Sequence, residues 1–298
     1  MSTEPEENIV PLVPAATTNQ TVDPDSLQSH ASSELVVGSW SCYLKKTDQI
    51  ISHLSDILST PSGTDTLLLT ICYTSLLSST ILTSISLARL RNTARLLIKK
   101  VLTLPPETTV LLTTTTIPTS RLLKLSVRLK ALSSLISDVR IFARLWGLLG
   151  IWRWGKAVLV EKRDDDTILR QAKSVQVLAN IAYQYLENYA YLSGKGILGL
   201  SKEKQAKAWT WSSRFWAMHV MLELVCLWRK KVLQEEKGKD KTEDESSDWN
   251  RQILVNIAYA PLTVHWSMER GLVSEFWVGL LGSIVGAIKT HQVWNGVS

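Results

Sequence analysis

The stretch that most constrains this chain is residues 121–156, RLLKLSVRLKALSSLISDVRIFARLWGLLGIWRWGK. Apolar side chains return at Leu122, Leu125, Leu129, Leu132, Ile136, Val139, Ala143 and Trp146, in alternating steps of three and four. That period belongs to one stripe of an α-helix, with Arg128, Lys130, Arg140, Arg144, Ser126, Ser133 and Ser137 on the flanks and back. A basic amphipathic helix can lie on an anionic bilayer, pack on a partner helix, or bury its stripe in a soluble bundle.

Charge along the chain is segregated. Residues 1–44 hold six acids and no Lys or Arg, whereas residues 81–163 hold fifteen bases against three acids. So large an excess calls for a negative partner: lipid headgroups, nucleic acid or an acidic protein. Mean hydropathy of +0.05 is low for a polytopic transporter and compatible with a protein lying partly on a membrane. The three cysteines, Cys42, Cys72 and Cys226, are far apart and offer neither a zinc spacing nor a disulfide framework.

Residues 1–39, rich in Pro, Ser, Thr and acids, read as a disordered acidic tail without the basic and apolar regions of a secretory signal. A short helix is expected over 40–58, closed by Pro61, Ser62 and Gly63. Residues 66–88 carry no charge and are long enough to cross a bilayer, but almost half are Ser or Thr, which favours a buried or interfacial helix. A second basic amphipathic helix follows, in which Arg89, Arg91, Arg95, Lys99 and Lys100 surround Leu87, Leu90, Ala94, Leu97, Ile98 and Val101. Pro105, Pro106, the Thr113–Thr116 tract and Pro118 break it. Helices are then expected over 167–192, ended by Gly194, Gly196 and Gly199, and over 201–233. Residues 234–248, with ten charged side chains, read as a solvated linker. The apolar runs 253–268 and 276–288 close the chain, the second carrying Gly279, Gly282 and Gly286, a small-residue spacing that lets two helices approach closely.

These expectations define an all-α, membrane-associated bundle of amphipathic and apolar helices behind a disordered tail. The divisions are 1–39 for the tail, 40–233 for the helical region with its basic amphipathic helices, 234–249 for the charged linker and 250–298 for an apolar hairpin. Eleven of the twelve tryptophans fall between Trp146 and Trp294, and indole favours the headgroup region of a bilayer.

Catalytic signatures are missing. Gly150–Ala157 approaches the P-loop pattern, but Ala157 has no hydroxyl for Mg²⁺, Trp152 and Trp154 crowd the loop, and no strand precedes it. His219 and Glu223 are spaced as a local helical pair without a third metal ligand. No catalytic residue, cofactor or metal is expected. The string Asn-Ile-Ala-Tyr occurs at 180–183 and again at 256–259, each followed by a glycine, Gly196 or Gly271, as in a duplicated helical hairpin or a coincidence.

Four blocks in order, RLWGLLGIWRWG (144–155), NIAYQYLENYAYLSGKGIL (180–198), WSSRFWAMHVMLEL (211–224) and NIAYAPLTVHWSMERGL (256–272), with the closing WVGLLGSIVG, resemble the fungal members of the peroxin eleven family, and most of all its C or gamma branch. The acidic tail and the Thr-rich segment depart from that pattern. The resemblance implies a peroxisomal membrane protein that elongates the organelle before fission, recruits the peroxisomal fission machinery and self-associates. It implies an inserting amphipathic helix in the N-terminal half, for which the candidate membrane contacts are Arg89, Arg95 and Lys99 in one helix and Leu122, Leu125, Leu129, Leu132, Ile136, Val139, Arg128, Arg140 and Arg144 in the other. The expected partners are an anionic phospholipid membrane and further copies of the chain, joined through Gly279, Gly282 and Gly286, and not nucleic acid. A pore for small metabolites and a soluble nucleic-acid-binding bundle are the competing readings; the second lacks a base-stacking module.

Overall fold

A computed structural model describes residues 44–103, 105, 121–161, 166–236, 238 and 242–296. The acidic tail, most of the Pro- and Thr-rich break and the middle of the charged linker lie outside the described residues. Among those described there is no strand. The chain divides into two compact units, residues 1–55 and 56–298. The first contributes most of helix α1 (44–59), with Leu44, Ile50 and Ile51 exposed. All that follows concerns the second.

Helix α2 (Pro61–Leu102) is one uninterrupted element of 42 residues, so the uncharged run and the basic run that follows it are halves of the same helix. Pro61 follows the end of α1, as expected, and also opens the next helix, with Thr60 capping it by accepting from the Gly63 N–H at 3.1 Å. Proline suits the first turn because the amide it lacks would have no partner there. It is the one described helix long and apolar enough to cross a membrane.

The basic stretch that follows is not a single rod. Helix α3 (Arg121–Ala143) passes through a 3₁₀ turn (Arg144–Trp146) into α4 (Gly147–Lys156) and a π turn (Ala157–Glu161). The cause of the break lies on the next helix, α5 (Thr167–Gly194). There Gln184 donates to the Arg144 carbonyl at 2.9 Å and Asn188 donates to the Leu145 carbonyl at 3.0 Å, taking over acceptors that a regular helix would use itself. Gly147 leaves room, since a Cβ there would meet the Gln184 side chain.

Helix α6 (Lys202–Glu236) returns along α5, and α7 (Glu243–Trp266) and α8 (Glu275–Gly296) follow. The acidic half of the expected linker is helical. Thr242 and Glu245 form a capping box, and Glu243, Glu245 and Asp248 lie in the opening turns of α7, where a helix dipole favours acids. The α7–α8 turn is held by His265, whose Nδ1 accepts from the amides of Leu272 at 2.8 Å and Val273 at 3.0 Å, with Gly271 at φ +66° between them.

In packing order, α2 lies against both α3 and α8, α5 lies against α6 and α4, and α7 joins the two groups by touching α6 and α8. One apolar cluster combines Leu69 of α2, Ala258 of α7 and Val285 of α8; another combines Leu169 and Ala172 of α5 with Cys226 of α6.

The repeated Asn-Ile-Ala-Tyr strings have parallel surroundings. In each the Asn side chain donates to the carbonyl four residues earlier, Gln176 or Gln252, at 2.8 Å. The helix carrying each ends in a turn with a positive-φ glycine, Gly196 at +78° and Gly271 at +66°. Both tyrosines, Tyr183 and Tyr259, point at Trp216.

Candidate membrane surface and interior cavity

The stripe on α3 divides down its length. Leu122 and Leu129 are half-buried and Ile136 is buried, while Leu125, Leu132 and Val139 remain 41–47% exposed. Beside Ile136, the interior face consists of small polar residues. Ser126 and Ser133, expected on the flanks, are buried against α2, where the Ser79 hydroxyl donates to the Ser126 carbonyl at 2.8 Å and the Cys72 thiol to the Ser133 carbonyl at 3.4 Å. Thr66, Ser75, Ser79 and Ser86 of α2 are buried on the matching side. Small hydroxyl-bearing residues let two helices come close, and the larger side chains are displaced outward.

What is displaced forms an apolar ridge. From Leu132, Leu135, Val139 and Phe142 it runs through the 3₁₀ turn to Trp146, Leu149 and Trp152, the last three about 70% exposed. Arg128, Arg153 and Lys156 border it, exposed. On α2 no residue past Ser86 is buried, and Leu96, Ile98 and Leu102 stand open beside Arg89, Arg91, Arg95, Lys99 and Lys100. None of those five bases has an ion-pair partner among the described residues.

Two bases grouped with this surface in the sequence turn the other way. Arg140 donates through Nε at 2.8 Å and Nη2 at 3.2 Å to Asp65 of α2. Arg144 donates through Nε at 3.0 Å and Nη2 at 2.8 Å to Glu187 of α5, whose carboxylate is nearly closed to solvent. Both are interior ties between helices rather than surface cations. Their spacing of four put them with the other bases in the sequence; their acids, 75 and 43 residues away, could not be seen.

The glycines expected to join two copies are engaged within one chain. A Cβ at Gly279 would stand 2.8–2.9 Å from the Leu77 backbone, one at Gly286 2.9 Å from the Thr70 Cα, and one at Gly282 inside the Tyr73 ring. This stripe is the α8 side of the α2–α8 contact, reinforced by a 2.8 Å hydrogen bond between Thr70 and Thr290. In this chain the stripe is therefore occupied by α2 rather than open to a second copy.

His219 and Glu223 do not form a pair of their own. Asn180 meets His219 Nδ1 at 2.9 Å and Gln176 donates to Glu223 at 2.8 Å, so both tie α6 to α5. Burial holds the His219 pKa below its ordinary 6.5, against the opposing pull of Glu223. The P-loop lookalike is helix α4 and presents no loop for phosphates. No group of three or more His, Cys, Asp or Glu able to hold a metal occurs among the described residues.

A cavity of about 380 Å³ opens among α2, α3, α5, α6 and α7. Arg140, Arg144, Glu187, Tyr183 and Tyr259 line it together with Trp209, Trp216 and Trp266. Tyr183, Trp216 and Trp266 form a near-parallel ladder with ring centroids 6.2 and 5.5 Å apart. Burial raises the Tyr183 pKa and pushes that of Tyr259 up to about 12, so both phenols stay protonated donors at any physiological pH. The tryptophans thus serve two ends: Trp146, Trp152, Trp211, Trp228 and Trp277 are exposed, whereas Trp209, Trp216 and Trp266 enclose the cavity.

Residues 112–294, covering the α3–α4 ridge and all of the cavity lining except Leu69 and Tyr73, match the family described as Peroxisomal biogenesis factor 11 (PEX11). The chain belongs to that family. An uncharacterized protein of Schizosaccharomyces pombe is 30% identical over 163 residues, which is 54% of this chain and 74% of the relative. No solved structure matches. Membership in PEX11 assigns the chain to peroxisome biogenesis and to a family of biogenesis factors rather than of enzymes. Residues 44–103, with the whole of α2, precede the matched segment.

Proposed function

We propose that the protein attaches to the peroxisomal membrane through the α3–α4 ridge and the basic end of α2, and that many copies crowded on one leaflet bend and elongate that membrane ahead of fission. The observation that carries this reading is the outward turn of Leu132, Leu135, Val139, Phe142, Trp146 and Trp152 on helices whose inward faces are serine and arginine. Half-burying six such side chains is worth roughly 5–9 kcal/mol, at about 1.5–3 kcal/mol for each fully buried one. Each base near an anionic surface adds about 1 kcal/mol. The sum supports reversible attachment, and a helix sunk about 5–10 Å widens a single leaflet. Contacts between copies, and with the fission machinery, must use faces other than the Gly279–Gly286 stripe.

The test is the triple variant Leu125→Asp, Leu132→Asp, Val139→Asp, which leaves half-buried Leu129 alone. It is expected to abolish flotation with, and tubulation of, anionic vesicles, and to leave peroxisomes few and enlarged. Undiminished tubulation by a folded triple variant overturns the proposal.

A further inference from the structure

The cavity is not used by the membrane-facing ridge, and its lining is unbalanced. Each guanidinium has five N–H donors, and Arg140 and Arg144 each commit Nε and Nη2 to one carboxylate. The Nη1 groups of both have no hydrogen-bond partner among the described residues, and neither is sealed away from open space. The same holds for the hydroxyls of Tyr73, Tyr259, Ser137 and Ser213, which also line the cavity. The acceptors are already engaged: Glu187 takes both Arg144 donors and the Tyr183 hydroxyl at 3.2 Å, and Asp65 takes both Arg140 donors.

Arg140 and Arg144 are matched one for one in charge by Asp65 and Glu187, so the selection falls to the donors left open. A site with surplus donors and two guanidinium edges selects an oxyanion, and phosphate is the oxyanion that such edges fit best. The flat apolar faces of Trp209 and Trp266 suit an organic substituent on it.

We infer that the cavity takes the phosphate of a phospholipid headgroup, its oxygens on the Nη1 edges of Arg140 and Arg144 and its glycerol end against the indoles. The choice of a lipid as the source rests on the membrane reading above; the oxyanion chemistry does not. Because Arg140 ties α3 to α2 and Arg144 ties the 3₁₀ turn to α5, a bound headgroup would clamp the two helical groups together.

The experiment titrates the purified full chain with dihexanoyl phosphatidylglycerol below its micelle concentration, with glycerol 3-phosphate and with inorganic phosphate, followed by calorimetry and tryptophan emission. One short-chain lipid should bind per chain, at least about tenfold more tightly than either soluble anion. Arg140→Lys and Arg144→Lys keep the charge facing each carboxylate but lack the free edge, and each should weaken binding about tenfold; Tyr259→Phe, which preserves packing, should weaken it about threefold. The absence of saturable binding, or equal affinity in all three variants, overturns the site. Equal affinity for inorganic phosphate and for the lipid overturns the lipid as its occupant. The Leu125, Leu132 and Val139 triple variant should still bind the short-chain lipid while losing vesicles, and Arg140→Lys should still float with vesicles, so the two readings fail separately.

Discussion

Helices α2, α3 and α8 and helices α5 and α6 are held together by different balances of contact. In the first group close contacts over small residues run along the helices, Ser79 on Ser126, Cys72 on Ser133, and Gly279, Gly282 and Gly286 on Leu77, Tyr73 and Thr70, with the Arg140–Asp65 and Lys130–Glu275 pairs at single points. In the second they are specific polar pairs, Gln176 with Glu223, Asn180 with His219, and Arg229 with Asp166 at 2.8 Å, alongside the aromatic ladder. Close backbone approach over Ser and Gly holds helices without requiring large apolar side chains between them, as within a bilayer, where greasy residues gain nothing by turning inward. Amide and ion pairs fix register in a more water-like setting. The first group thereby releases its leucines to the outside, while the second can keep a polar cavity.

The largest test of this contrast strikes where the groups meet. Arg144→Ala would leave the nearly closed Glu187 carboxylate without its counter-charge, and loss of one partner of a buried pair costs about 3–5 kcal/mol. Chemical or thermal unfolding should show that loss. Adding Glu187→Gln should restore a good part of it. Next comes Gly282→Leu, which drives a side chain into the Tyr73 ring. Overpacking of this kind costs about 1–3 kcal/mol, and limited proteolysis should show α8 released from α2. If Gly282→Leu left α8 protected but disrupted self-association, the stripe would be an intermolecular one after all.

How much of this was legible in the sequence follows the same division. Helix existence, the glycine-ended hairpins and the small-residue stripe on α8 were readable because period and glycine spacing are local properties. The serines of α3 were expected on its flanks for a physical reason. Hydroxyls read as solvent-facing unless the contact is close-packed, and here Ser126 and Ser133 are buried with Ile136 on the interior side of α3. A run such as 66–88, where Ser and Thr recur among leucines, carried that signal, since buried hydroxyls at helical spacing mark a close-packed face. The cavity was not read from the sequence; the paired Asn-Ile-Ala-Tyr strings suggested only a duplicated hairpin or a coincidence, though their tyrosines both reach Trp216. Asp65 and Glu187, distant in sequence from their arginines, gave no local sign.

A smaller effect separates the groups by pH. His219 sits in the polar group with its folded-state pKa below the unfolded 6.5, chiefly through burial. Its contribution is full above about pH 6.5 and is lost as pH falls toward the folded value, because the unfolded state then binds the proton more readily. Stability measured between pH 7 and pH 5 should therefore decline, and His219→Gln should flatten that decline. An unchanged slope would mean that His219 is protonated freely in place.

The smallest expected effect on stability belongs to the ridge, and that smallness is what makes it informative. Leu125, Leu132 and Val139 are each more than two-fifths exposed, so replacing them with Asp removes little buried area, and surface changes usually stay within about 0.5 kcal/mol. The melting transition of the triple variant in solution should match that of the parent chain within error, even though its affinity for anionic vesicles collapses. A folded protein that loses only the membrane places those side chains in lipid. If the triple variant unfolds instead, the ridge is covered by protein in the native state, and the two helical groups differ in packing alone rather than in the medium they face.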